Sequence, residues 1–155
     1  MIGRSSLVPW LVLWSGLLAL APITATSGAE APLAITHTDS QLKWGPCPSL
    51  FPAGCEIAVL HGDPAKPNAD VFFRVPAGYV IPPHWHTSPE RMVLVAGELR
   101  VEYSGHRPQV LAVGTYAYGP AKAVHQATCA ASGPCVLFIA FESPVDAHGP
   151  EGPKQ

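Results

Sequence analysis

Pro82-Pro83-His84-Trp85-His86-Thr87-Ser88-Pro89-Glu90 is the stretch on which the reading of this chain turns. If residues 82–86 are extended, His84 and His86 share one face and Trp85 takes the other, because strand side chains alternate. Two imidazoles aimed into one interior space are costly to desolvate, and they repel each other once protonated. A cation bound to their neutral nitrogens removes both penalties. The turn-prone Thr87-Ser88-Pro89 is long enough to bring the Glu90 carboxylate back toward the rings, adding a hard anionic donor.

A third imidazole comes from His125, in the β-type stretch Val124-His125-Gln126-Ala127, which a meandering or jelly-roll chain can set beside the first strand. Three His and one Glu leave open positions on a metal that prefers about five or six ligands, as a reactive site requires. One divalent transition metal is therefore expected. Iron(II), manganese(II), nickel(II), copper(II) and zinc(II) all suit a mixed nitrogen and oxygen set.

Working outward, the sequence reads as all-β. Short runs rich in β-branched and aromatic residues fall at 57–60, 71–75, 92–95, 99–103, 110–113, 115–118, 124–129 and 136–141, separated by Gly, Pro or Asn clusters. No long helical periodicity survives without a Pro or Gly inside it, which disfavours a parallel βαβ architecture. Val95-Ala96-Gly97-Glu98-Leu99 and Ala131-Ser132-Gly133-Pro134 both read as hairpin turns. In the last run, Val136, Phe138 and Ala140 face one way and Leu137, Ile139 and Phe141 the other, so both faces are apolar. Either the lead-in segment or a second subunit must cover one of them, and a homodimer is the expectation.

The spacing Gly78, five residues, His84-Trp85-His86, three residues, Glu90, six residues, Gly97 resembles the first motif of the cupin superfamily without a gap. Gly114, five residues, Pro120 and then His125 resembles the second motif, with Lys122 where the family often has glycine and Cys129 where it often has asparagine. The resemblance covers about residues 57–141. It implies a cupin double-stranded β-helix, a jelly-roll barrel with a metal at its centre held by His84, His86, Glu90 and His125. Residues 44–64 are also similar to exported single-domain cupins of undefined role.

Residues 1–29 read as a secretory signal peptide: Arg4 precedes an apolar stretch at 7–23, followed by small residues. Pro9, Ser15, Gly16 and Pro22 interrupt that stretch, which argues against an uncleaved anchor needing roughly 20 uninterrupted residues. The expected division is then a lead-in at 30–56, a barrel at 57–142 and a flexible tail at 143–155. Cys47, Cys55, Cys129 and Cys135 form an even set downstream of the signal, which export would oxidise to two disulfides. Proximity favours Cys47 with Cys55 and Cys129 with Cys135. A four-thiolate zinc site is the weaker reading, since neither pair has the required spacing.

The full chain of 155 residues carries a formal charge of −2, and loss of Arg4 takes it to −3. No basic cluster remains to neutralise a series of phosphates, so nucleic acid is excluded, and no membrane contact is expected after cleavage. The protein is expected in the periplasm or secreted, with a small molecule as ligand or substrate.

His37, His61, His106 and His148 read as ordinary hydrogen-bonded residues, and Arg91 as solvent-facing. Tyr79, Met92, Tyr116, Tyr118 and Phe138 are candidates for the pocket mouth, more simply read as core. No residue is assigned to an organic cofactor and no catalytic residue beyond the ligands is fixed; Glu98, Glu102 and Lys122 are the candidates for acid or base. Cupins with this ligand set include dioxygenases, oxalate-converting enzymes and isomerases. The resemblance thus implies a metal-dependent oxidoreductase of dioxygenase type acting on a small organic molecule. The alternative is a non-catalytic metal or small-ligand binding or sensor module of the cell envelope.

Overall fold

A computed structural model describes residues 30–151. The segment read as a signal peptide lies outside the described residues, as do the last four residues of the tail. The described residues form ten strands and no helix: β1 (Gly45–Pro46), β2 (Glu56–His61), β3 (Ala69–Val75), β4 (Val80–His84), β5 (Glu90–Ala96), β6 (Leu99–Tyr103), β7 (Gln109–Leu111), β8 (Tyr116–Gly119), β9 (His125–Cys129) and β10 (Cys135–Phe141). They make a six-stranded sheet in the order β1-β2-β3-β10-β5-β8 and a four-stranded sheet in the order β4-β9-β6-β7, every pairing antiparallel.

Two strands lie outside the β-branched runs, β1 and β4, the latter overlapping the 82–86 stretch read as extended, and both carry proline. Each lies at the edge of its sheet, where a missing N–H breaks no ladder. Ile81 pairs with Ala127 and His84 with His125, so β4 has one residue more than β9 over the same interval. This bulge at Pro82-Pro83 shifts the alternation. Without it Ile81 facing inward would turn His84 outward; with it both are buried.

The two stretches read as hairpins are not hairpins. β5 and β6 belong to different sheets, and so do β9 and β10, so Gly97 and residues 131–134 form corners where the chain crosses between layers. The corners pack against one another: a Cβ on Gly97 would lie 2.5 Å from the Pro134 carbonyl oxygen and 3.0 Å from Cys135 Cα. Local turn chemistry is the same for both geometries, which is why the sequence did not distinguish them. The structure joins Cys47 to Cys55 and Cys129 to Cys135. The second bridge therefore ties one sheet to the other across a corner.

Between the sheets lies the main core, including Val71, Met92, Leu94, Leu99, Leu137 and Ile139. On the outer face of the six-stranded sheet a second cluster joins Ala58, Phe72, Val136 and Phe138 to Leu42, Ile35 and Trp44 of the lead-in. The apolar outer face of β10 is thus covered by the chain's own lead-in segment. Trp44 is fixed by the Arg74 guanidinium 4.0 Å above its ring, and Arg74 in turn pairs with Glu56 at 2.7 Å.

Candidate metal centre

The register of the four-stranded sheet brings residues far apart in sequence to one place. His84 stands opposite His125 across β4 and β9, so both side chains enter the interior from neighbouring strands. His86 follows two residues later, just beyond β4, and is buried like them. Trp85 between them points away, as alternation requires. Glu90 opens β5 in the opposite sheet.

The turn that returns Glu90 is held by Ser88, only 1% exposed, whose hydroxyl accepts from the Glu142 and Ser143 amides at 2.8 and 3.1 Å and donates to the Pro89 carbonyl at 2.7 Å. The three rings lie with centroids 4.1 to 5.4 Å apart, and their candidate ligand atoms all fall within 4.8 Å of one another.

Each imidazole has its tautomer set by a main-chain carbonyl. His84 Nδ1 donates to Pro82 at 2.8 Å, His125 Nδ1 to Ala123 at 3.0 Å, and His86 Nδ1 to Asp146. A carbonyl only accepts, so the ring proton sits on Nδ1 and the Nε2 lone pair is left free. His86 Nε2 is 3.3 Å from Glu90 Oε1, and His125 Nε2 is 3.5 Å from Glu90 Oε2. Lone pairs therefore face a carboxylate, an arrangement that calls for a cation among them. Hydrogen bonding of the far nitrogen is the usual support of a metal-bound histidine.

Electrostatics agree with neutral rings at His84 and His125. Burial, reinforced by His125 and His86, lowers the pKa of His84 to about 3. Burial also lowers that of His125 to about 4, against the upward pull of the Ala123 carbonyl. The Glu90 carboxyl is raised by burial, with His86 opposing and Asp146 adding. His84, His86 and His125 are close enough to share one ion, and their lone pairs fit a borderline divalent metal.

The rings open on a cavity of about 70 Å³ between the sheets, walled by Ile81, Val101, Leu137 and Ile139 among others. That is room for several water-sized groups. Of the pocket-mouth candidates only Met92 lines it. Tyr79 is buried with its hydroxyl on the Pro52 carbonyl, Tyr116 and Tyr118 are exposed, and Phe138 packs on the outer face.

Glu98, Glu102 and Lys122 do not line the cavity. Glu102 pairs with Arg100 at 2.9 Å, and Lys122 is an exposed residue in the left-handed region at φ 62°, its amide on the His86 carbonyl. Such a backbone favours glycine, so the departure from the cupin pattern at this position keeps the turn and changes only the side chain. His37, His61 and His106 lie outside the cluster, and Arg91 pairs with Glu142.

Two contributors were missed. Tyr103 lines the cavity, its hydroxyl fully buried and its pKa raised by burial and then by Glu90. The inward alternation Leu99, Val101, Tyr103 carried the signal, but placing it beside the histidines needed the pairing of β6 with β9. The second is the expected flexible tail, which is not free through residue 149. Val145 N donates to the Pro64 carbonyl, His148 and Trp85 exchange main-chain hydrogen bonds, and Val145, Asp146 and Ala147 line the cavity. Pro and Gly content read as looseness because the partners are main-chain groups of a distant turn.

A jelly roll with three tautomer-fixed histidines facing its interior has the architecture of a cupin. The sequence matches the ChrR cupin-like domain over residues 33–144, and the chain belongs to that cupin family. Among solved structures it is similar to the DMSP lyase DddQ from Ruegeria pomeroyi DSS-3, at 22% identity and TM-score 0.60 over 72% of this chain and 64% of that one. It also resembles an RmlC-like cupin from Shewanella frigidimarina, at 22% identity and TM-score 0.56 over 68% of this chain and 86% of the other. The polyketide cyclase RemF from Streptomyces resistomycificus aligns at 16% identity and TM-score 0.63 over 80% and 89%. These likenesses show the fold alone, and the chain spans less than two thirds of the lyase's length. A search of curated proteins finds no match.

The two disulfides point to an oxidising, exported environment. No helix among the described residues is long and apolar enough to cross a membrane.

Proposed function

We propose that this chain is an exported cupin, periplasmic or secreted, that holds one divalent transition metal through His84, His86, Glu90 and His125 and acts on a small organic molecule as a metal-dependent oxidoreductase of dioxygenase type. The observation that carries the reading is the convergence of three buried imidazoles, each fixed by a carbonyl behind it, with the Nε2 atoms of His86 and His125 facing the Glu90 carboxylate. When bound, the metal supplies Lewis acidity or electrons to a ligand in its open positions.

The chain's own residues supply the rest. The carbonyls of Pro82, Ala123 and Asp146 hold the rings in orientation, Glu90 offsets part of the ion's charge, and apolar walls exclude bulk water. Beyond the proposed ligands, the titratable groups lining the cavity are Tyr103 and Asp146. Tyr103 is pushed up by burial and remains a phenol. For Asp146, burial acts upward but hydrogen bonds from Thr87 and His148 outweigh it and hold the carboxylate low. Neither is poised near neutrality, which favours electron transfer over general-base chemistry. The same observation favours a second reading, a metal or small-ligand binding module of the cell envelope that does not turn over.

The test is elemental analysis of protein exported through its own N-terminal segment without added metal, followed by dioxygen uptake with a panel of phenols, thiols and oxalate. Bound iron with substrate-triggered uptake supports the enzyme. Tight zinc and no turnover supports the binder, and less than stoichiometric metal after reloading sinks the centre itself.

A further inference from the structure

Tyr103 has no part in the four-residue centre, yet it belongs to the same rung of the sheet. It stands opposite His125 across β6 and β9, and His125 stands opposite His84 across β9 and β4. The Tyr103 ring lies 4.9 Å from the His125 ring at an interplanar angle of 29°. Its hydroxyl oxygen is buried and has no hydrogen-bond partner among the described residues. The space it occupies exists because residue 119 is glycine. A Cβ there would collide with the Tyr103 hydroxyl and stand 3.2 Å from Glu90 Oε2. Gly119 is not among the glycines with positive φ, so room for the hydroxyl, not backbone freedom, accounts for it.

No polar group of the described residues pairs with this hydroxyl, so contacts within the fold give no reason for tyrosine over phenylalanine here. A ligand does. Charge indicates its class: a divalent ion among three neutral imidazoles and one carboxylate keeps a net charge of about +1, and apolar walls make such a charge expensive. A monoanion cancels it. The cavity, about 70 Å³, has room for an anion of acetate size.

We infer that Tyr103 donates its hydroxyl hydrogen to one oxygen of a small monoanionic carboxylate whose other oxygen occupies an open position of the metal centre. The inference rests on the reading that His84, His86, Glu90 and His125 hold the metal. Tyr103 then orients the ligand and selects for anions with a second acceptor atom.

The test uses the full chain loaded with cobalt(II), whose visible spectrum reports the inner sphere, titrated with acetate and with bromide, an anion lacking a second acceptor. The Tyr103→Phe variant is expected to take up the same equivalent of cobalt, to melt at the same or a higher temperature without anion, and to bind bromide unchanged. Its acetate affinity is expected to fall about tenfold. Unchanged acetate binding overturns the inference, and so does an equal loss for both anions. A lower melting temperature without anion overturns it too, because tyrosine would then be structural. Failure of the unaltered chain to bind cobalt sinks the metal reading along with it, and is seen before any anion is added.

Discussion

The Nδ1–H of His86 donates to the main-chain carbonyl of Asp146, 60 residues further along the chain. One Asp146 carboxylate oxygen accepts from the Thr87 amide at 2.9 Å and the other faces His148 Nε2 at 3.0 Å. The His148 ring stacks on Trp85 at 4.2 Å, and the Trp85 indole donates to the Gly149 carbonyl. The segment after β10 is thereby laid over the turn that presents His86, and it fixes which nitrogen of that ring faces inward.

A chain ending at Ser143 should therefore keep its barrel but lose metal affinity. Loss of an outer partner of a metal-bound histidine typically costs about 10- to 100-fold. Competition with a chelator of known affinity measures it, with β-sheet circular dichroism as the check on folding. Equal affinity for the shortened and full chains would show that the Asp146 carbonyl does not orient His86.

The metal-free protein should lose stability as pH falls below about 6.5. An unfolded imidazole takes up its proton there, whereas folded His84 and His125 refuse it until about pH 3 and 4. The unfolded state then binds more protons, and stability falls with pH. Glu90 works in the opposite sense, since its raised pKa lets the folded state take a proton first. Two imidazoles outweigh one carboxyl, and Glu90→Gln should steepen the decline. Urea midpoints in the presence of a chelator between pH 7.5 and 5 test this, and a flat profile for both proteins would contradict the burial argument.

How far the site could be read in advance depended on how local its geometry is. The facing of His84 and His86 and the return of Glu90 are matters of one strand and one turn, and residue types and spacing reveal them. The partnership of His84 with His125 depends on a bulge at Pro82-Pro83, and the position of Tyr103 on which strand borders β9. Neither is encoded within a window of neighbours. The corners at Gly97 and at residues 131–134 show the same limit, because glycine-rich turns serve hairpins and crossings alike. The outer face of β10 advertised a need for cover, but only the structure shows Leu42 and Trp44 meeting it.

The Cys129–Cys135 bridge closes a short loop, with a sequence separation of 6, yet it joins two sheets. Chain entropy for a loop of this size gives roughly 2–3 kcal/mol. Replacing both cysteines with alanine should lower unfolding free energy by about that amount. Denaturant titration of oxidised and variant protein decides it. A loss below about 0.5 kcal/mol would mean that the packed corner holds the sheets together without the bridge.

Gly78 and Gly97 bound the same motif and share a left-handed backbone, at φ 72° and 82°. Their surroundings differ. A Cβ on Gly78 meets nothing within 4 Å, while one on Gly97 strikes the Pro134 carbonyl and comes within 2.9 Å of Cys135 Sγ. Gly78→Ala should therefore cost only the backbone strain, about 1 kcal/mol. Gly97→Ala adds a collision with main chain of the opposite corner, which cannot rotate away as a side-chain tip could, and should cost about 3 kcal/mol or more. Thermal or urea unfolding of the two variants side by side measures the difference. Equal costs would mean that the corners at Gly97 and Pro134 do not meet as closely as described, and the crossing between sheets would need to be redrawn.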